Sequence, residues 1–484
     1  MKTATLLACC TTALLSGAPS TLAQKAQPPA AWGPARVDVP AAFQVPLPIV
    51  PTLSPVLSTP DADYYEMTMQ VGQKEIIPGK MTTIWGFNGL FPGPTIKAQR
   101  GRAVIVRQTN YLPVSTVVHL HGGHTPRKSD GLPFDLIGPG ATNYYEYPNI
   151  QDGATLWYHD HSIDTTGRNV YMGLAGFYVI SDPAEEKLGL PTGDADVALV
   201  IQDRLFNSDG SLNYPLTDNT IFAGVFGDTL LVNGAIQPYF EVARRKMRFR
   251  ILNGSNARIY RLALSNNQPL LQIASDGGLL AAPVSRQAIT VGPGERIEVV
   301  IDFSAYPLGT SIVLKNQNTA APSIPDIMRF DVVYEANDRS RIPRRLNRNL
   351  GPVTKLSPEI HRNFTLEPTS VNGRVVWSIN QKLYDPITVD VKPRLNTTES
   401  WTFQNNSGQA HPMHIHNIQW RILDINGLAP APGDDGWKDT FMVPGGGRVT
   451  VIGTFINHLG LYVTHCHNLE HEDHAMMFNF EVVR

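Results

Sequence analysis

The chain has 484 residues, and its 40 basic and 42 acidic side chains give a formal net charge of −2. At roughly 150 residues per domain the length predicts about three domains, and the near-balanced charge excludes nucleic-acid or anionic-membrane binding driven by bulk electrostatics. Gly (40) and Pro (38) punctuate the chain throughout, which excludes long amphipathic helices and predicts an all-β fold with many turns.

From the N-terminus, Lys2, the largely apolar stretch 6–15 and Thr21-Leu22-Ala23 read as a signal peptide over 1–23, with a positive start, a short apolar core and small residues at the end. Leu6-Leu7-Ala8-Cys9 has the form of a lipoprotein box, but almost no apolar run precedes Cys9, so it is discounted. With no second span, the mature chain is expected to be exported, secreted or periplasmic, without a membrane span, and monomeric. Residues 24–60 are rich in Pro and Ala with little periodicity and read as an extended arm.

A pattern then recurs three times. Asn88-Gly89, Asn233-Gly234 and Asn380-Gln381 are each followed by a proline, an alternating run and a second asparagine at Asn110, Asn253 and Asn405. Each unit reads as turn, strand, turn, strand, turn, and three similar β domains are the economical explanation. The expected boundaries are 61–187, 190–335 and 359–484. Gly189-Leu190-Pro191 marks the first boundary, and 336–358 forms a linker whose arginines between 339 and 348 are read as solvated. The basic run Arg244-Arg245-Lys246 is read the same way. Sequons stand at Asn253, Asn363, Asn396 and Asn405.

Of three cysteines, Cys9 and Cys10 leave with the signal peptide. Cys466 remains alone and cannot form an internal disulfide. It lies in the densest of four histidine windows: His119-x-His121, His159-x-His161, His411-x-x-His414-x-His416, and His465-Cys466-His467 with His471. Random placement of 14 histidines predicts about 0.4 His-x-His, yet four occur.

On a strand, residues i and i+2 share a face and i+1 points the other way. His465 and His467 therefore serve one site and Cys466 another behind it. By the same parity His414 and His416 join the first site and His411 the second, and His471 lies where the chain can turn back toward Cys466. One thiolate, two imidazoles and a weak thioether form an electron-transfer copper set. Met476 is the thioether candidate, while Met477 is expected to point away into core. The eight other histidines are too many for one metal and suit a small copper cluster that holds dioxygen. Zinc, the rival metal, is disfavoured by that ligand set.

These windows, including His119-Leu120-His121-Gly122 and His465-Cys466-His467-Asn468-Leu469-Glu470-His471-Glu472-Asp473-His474-Ala475-Met476-Met477, resemble the four copper motifs of the multicopper oxidases. The nearest subgroup comprises three-domain bilirubin oxidases and spore-coat-type laccases. The resemblance implies three cupredoxin-like Greek-key β-barrel or sandwich domains and four coppers. It implies type 1 ligands His411, Cys466, His471 and Met476, and type 2 ligands His119 and His414. One type 3 copper would take His121, His159 and His467, the other His161, His416 and His465. The cluster would lie between the first and third domains, with the second as a spacer that also helps shape the substrate side. Asp130 and Glu472 match acidic positions that supply protons. His124, His361, His458 and His474 match no ligand position.

The implied activity is one-electron oxidation of a small phenolic or aromatic amine donor, taken up where His471 or His411 faces solvent and coupled to reduction of dioxygen to water. Bilirubin-type oxidation is the second reading. It is weakened by Gln409, where fungal bilirubin oxidases carry tryptophan. Cuprous oxidation is disfavoured by the 11 methionines and by Ser407-Gly408-Gln409-Ala410, and manganous oxidation stays open. A copper-free structural relative is the alternative from another class, but such relatives have lost ligands that this chain retains.

Overall fold

The three asparagine repeats fold alike in the computed structural model, which describes residues 37–320, 322–353 and 356–484. The expected signal peptide and the first part of the arm lie outside the described residues. Asn88 and Gly89, Asn233 and Gly234, and Asn380 and Gln381 all take positive φ, between 52° and 77°. Asparagine tolerates this left-handed region because its short side chain bonds locally. The Oδ1 atoms of Asn88, Asn233 and Asn380 accept the backbone N–H of Thr68, Val200 and Thr365, each at 2.8 Å. The second asparagines also act alike. Oδ1 of Asn110, Asn253 and Asn405 accepts the N–H two residues on, and Nδ2 donates to the carbonyls of Ile137, Val291 and Val443.

The repeat extends to strand pairing. In each stretch a long first strand runs parallel to the strand that ends at the second asparagine. The pairs are Ala62–Ile77 with Ala103–Asn110, Asp196–Phe206 with Lys246–Asn253, and Ile360–Val371 with Thr398–Asn405. Parallel neighbours require a crossover rather than a tight hairpin. Among the described residues six sheets result, and each draws its strands from one of the stretches 57–181, 196–334 or 360–482.

Period-two burial fills the space between paired sheets. Tyr65, Met67 and Met69 turn inward along the first long strand, and Phe249 and Ile251 do so in the second stretch. Trp401 and Phe403 do so in the third. A separate apolar seam of Trp157, Val170, Phe177, Val200, Leu252 and Leu469 joins all three stretches.

Two connecting segments are more ordered than their composition implies. In the arm, Phe43 and Leu47 donate their N–H groups to Gln237 and Tyr239, and Leu53 donates to Thr95. Leu47 is buried in the second stretch's core. Along the linker, the N–H groups of Arg341, Leu346 and Asn347 reach Gly189, Ala281 and Leu280. Leu346 packs with Leu190 and Ile273, while Arg344, Arg345 and Arg348 stay exposed. The sequons also separate: Asn253 and Asn405 are buried, leaving Asn363 and Asn396 exposed. No helix among the described residues is long and apolar enough to cross a membrane.

Candidate metal centre

Two strand pairs bring the histidines together. Val118–His121 pairs with Ala154–Asp160, setting His119 opposite His159. His411–Ile415 pairs with Gly460–Cys466, setting His414 opposite His465 and Met413 opposite Cys466. His161, His416 and His467 follow directly after their strands. The cluster is thus shared between the first and third stretches, and all eight rings are buried.

Ring nitrogens converge in groups. His416 Nε2 lies 3.3 Å from both His161 Nε2 and His465 Nε2. His119 Nε2 is 3.4 Å from His414 Nε2, and His159 Nε2 is 3.4 Å from His121 Nδ1. The ring of His467 is centred 4.9 Å from that of His121 and 5.4 Å from that of His159. Among the described residues, neither of its buried nitrogens has a hydrogen-bond partner. Two imidazole nitrogens held tetrahedrally by one ion at about 2.0–2.1 Å stand about 3.3 Å apart. The spacings therefore fit rings that share metal ions.

The outer nitrogens fix the rings. Nδ1 of His119, His159 and His414 donates to the carbonyls of Asp130, Asp160 and Asp439, at 2.6, 2.7 and 2.9 Å. His416 Nδ1 donates to Asp130 Oδ2 at 2.8 Å. Glu472 sets its two oxygens 3.1 Å from His161 Nδ1 and 3.0 Å from His465 Nδ1. These six rings keep Nε2 inward. His121 is reversed: its Nε2 meets Asp439 Oδ1 and Thr440 Oγ1, both at 2.9 Å, which leaves Nδ1 inward. Such partners set ring orientation and raise ligand basicity.

Behind this cluster, Cys466 Sγ lies 3.5 Å from both His411 Nδ1 and His471 Nδ1. Met476 is fully buried in the same apolar core as Cys466, and its carbonyl accepts the Cys466 N–H at 3.0 Å. Met477 belongs to a different cluster, with Leu132 and Val463. The expectation that His411 or His471 faces solvent is corrected. They are 0% and 1% exposed, and His471 Nε2 donates to Phe222 O at 3.0 Å. The short helix Asp218–Ala223 that covers them belongs to the second stretch and begins at a Thr217–Thr220 capping box.

Burial holds the imidazoles in their neutral, ligating form. It pushes His159 down to about 4 and His411 to about 3. It pushes His119, His121, His161, His414, His416, His467 and His471 well below the usual range. Burial also raises the Asp130 carboxyl to about 8 and raises the Cys466 thiol. For Asp439 burial acts upward too, but the Arg296 guanidinium beside it prevails and holds the carboxyl low.

Sequence reasoning missed Asp439, Arg296, Phe222 and Trp377. Arg296, from the second stretch, clamps both Asp439 oxygens at 2.6 and 2.7 Å, and Gly294 lies close against His467. The second stretch thus also braces the metal centre itself, through Arg296 and Gly294. Of the histidines set aside, His124 Nε2 accepts the Gln419 N–H, His361 bonds Ser400 and His474 bonds the Glu470 carbonyl. No signal in the sequence marked Asp439, because Lys438-Asp439-Thr440 looks like any strand edge.

The multicopper oxidase family profile matches residues 68–185 and 356–484. A laccase of Bacillus subtilis strain 168 is 39% identical, covering 89% of this chain and 96% of its own. A laccase of Bacillus stratosphericus is 38% identical, covering 90% and 98%. The solved laccase of Pediococcus acidilactici superposes with a TM-score of 0.84 at 31% identity, covering 93% of this chain and 96% of its own. The fold is all-β, with three cupredoxin-like Greek-key units, and copper is the metal these clusters take. The chain belongs to the multicopper oxidase family: it is a copper-dependent oxidoreductase that uses dioxygen as electron acceptor.

Proposed function

We propose a laccase-like oxidase that takes single electrons from phenols or aromatic amines and delivers four of them, with four protons, to dioxygen to give two waters. The observation that carries this reading is the tripeptide His465-Cys466-His467. It places Cys466 with His411 and His471, and His465 in the eight-histidine cluster. His411, Cys466, His471 and Met476 would hold the type 1 copper, and His119 and His414 the type 2 copper. His121, His159 and His467 would hold one type 3 copper, and His161, His416 and His465 the other. Copper in these sites supplies one-electron redox chemistry and dioxygen reduction.

The chain's own residues do the rest. The strand ending at Cys466 links the two sites covalently. Asp130 bonds His416, Glu472 lies with its oxygens beside the outer nitrogens of His161 and His465, and these two buried carboxyl groups are the ones placed to pass protons beside the cluster. The same reading takes the chain as an exported monomer with domains over 61–187, 190–335 and 359–484.

The test is oxygen uptake by the purified, copper-loaded protein with a phenol, an aromatic amine, bilirubin, cuprous ion and manganous ion. The reading expects about four coppers per chain and the fastest uptake with the phenol or the amine. Fastest turnover of bilirubin or of a metal ion would reassign the substrate. A preparation that takes up no copper would point to the scaffold alternative.

A further inference from the structure

The cover over the Cys466 site is aromatic and layered. Phe222 O accepts two donors, His471 Nε2 at 3.0 Å and Trp377 Nε1 at 2.8 Å. The Trp377 ring is centred 4.5 Å from His411, edge to face, and 5.4 Å from His471. Outside it, the Phe222 ring stacks on Trp377 at 4.6 Å and 19°. Trp377 is buried and Phe222 is partly exposed. Leu216, just before the covering helix, and Val375, on the same strand face as Trp377, are exposed apolar side chains.

The cover is firmly attached. Ala223 O accepts Gln409 Nε2 at 3.0 Å, and Arg374 pairs with Asp218 at 2.7 Å. A donor molecule in solvent therefore meets Phe222, not a histidine edge.

We propose that electrons enter this oxidase through the Phe222–Trp377 stack, and that a planar, electron-rich aromatic donor docks on the exposed face of Phe222 beside Leu216 and Val375. The inference rests on the reading of the Cys466 site as the type 1 copper site. Stacking suits such a donor because ring faces attract offset or edge-on rings. A phenol docked there gives up one electron and its hydroxyl proton and becomes a phenoxyl radical. The proton passes to water at the open face. The electron crosses by Trp377 and the Phe222 carbonyl to His411 and His471. Four such donors supply the four electrons that reduce one dioxygen.

The experiment uses the copper-loaded enzyme and three variants: Phe222→Ala, Trp377→Leu and Trp377→Phe. Two quantities are read: the rate at which a phenol bleaches the blue band without oxygen, and the binding of redox-inert para-fluorobenzamide by fluorine NMR. Phe222→Ala should weaken fluorobenzamide binding and slow bleaching by about tenfold, the scale of one aromatic contact. Trp377→Leu should slow bleaching while leaving fluorobenzamide binding near wild type, and Trp377→Phe should restore most of the rate. Unchanged or faster bleaching in Phe222→Ala would overturn the proposal, since it would mean that the cover merely blocks a direct route to the histidines. If Trp377→Leu loses its blue band, Phe222→Ala decides alone. A copper-replete wild type that no aromatic donor bleaches would instead sink the laccase reading itself.

Discussion

Asp439 links three parts of the molecule through one side chain and its carbonyl. The carbonyl orients His414, Oδ1 turns His121 the opposite way from six of its neighbours, and Arg296 and Gln419 hold the carboxylate. Asp439→Ala removes the close carboxylate partner of a fully buried arginine, a change that costs about 3–5 kcal/mol, and takes a side-chain acceptor from one ligand ring, His121, while the backbone carbonyl that orients His414 stays. We expect a lower thermal midpoint together with less than the full copper complement. Asp439→Asn, which keeps a hydrogen-bonding side chain toward His121, should fall between. Wild-type copper content in the alanine variant would show that His121 needs no orienting. Cys466→Ser removes the thiolate ligand of its site. It should abolish the blue band and the oxidase activity while leaving the eight-histidine cluster able to bind copper, and a blue, active serine variant would break the assignment. Histidine and cysteine spacing was legible because ligand chemistry and strand parity are both local. Asp439 was not, because its meaning depends on Arg296, which is distant in sequence and reaches it only in the folded chain.

At the scale of the element, the left-handed asparagine turns carry the threefold repeat, and they differ in what they tie down. Asn233 is 1% exposed, and its Nδ2 donates to Pro48 O in the arm and to Ala198 O, both at 2.9 Å. Asn380 is exposed. Alanine at Asn233 loses buried hydrogen bonds worth about 1 kcal/mol each and adds left-handed strain of about 1–2 kcal/mol. At Asn380 chiefly the strain term remains. Urea unfolding should therefore show Asn233→Ala more destabilised than Asn380→Ala, by about 2 kcal/mol, and equal losses would mean that the arm contact contributes nothing. The turns were readable because Asn-Gly has intrinsic turn chemistry. The order in the arm and linker was not, because their backbone donors reach partners far along the chain and no periodicity marks isolated bridges. Burial of Asn253 and Asn405 likewise follows from a structural role that the sequon pattern hides.

At the scale of the whole molecule, the first and second stretches meet across a buried charge cluster centred on Glu298. Its Oε1 accepts Thr155 Oγ1 at 2.6 Å and Arg250 at 2.9 Å, and its Oε2 accepts Arg248 Nε at 2.7 Å. Arg248 also reaches Glu185, and Arg250 reaches Asp196. Burial acts to raise the Glu298 carboxyl, but the Arg248 and Arg250 guanidiniums prevail and hold it well below the usual carboxylate range. A depressed folded-state pKa means stability that is present above the unfolded value, about 4.3, and lost as pH falls through the folded one. Glu298→Gln has no such charge to lose. It should be less stable than wild type at pH 7, because two buried guanidiniums lose a carboxylate partner. The gap should begin to close as pH drops below about 4, where the carboxyl protonates in the unfolded chain, and close further toward about 2, where the folded carboxyl takes up its proton. Thermal midpoints of the two proteins across that range check the sign. A gap that stays constant down to pH 3 would mean that the Glu298 charge does not help hold the first stretch against the second.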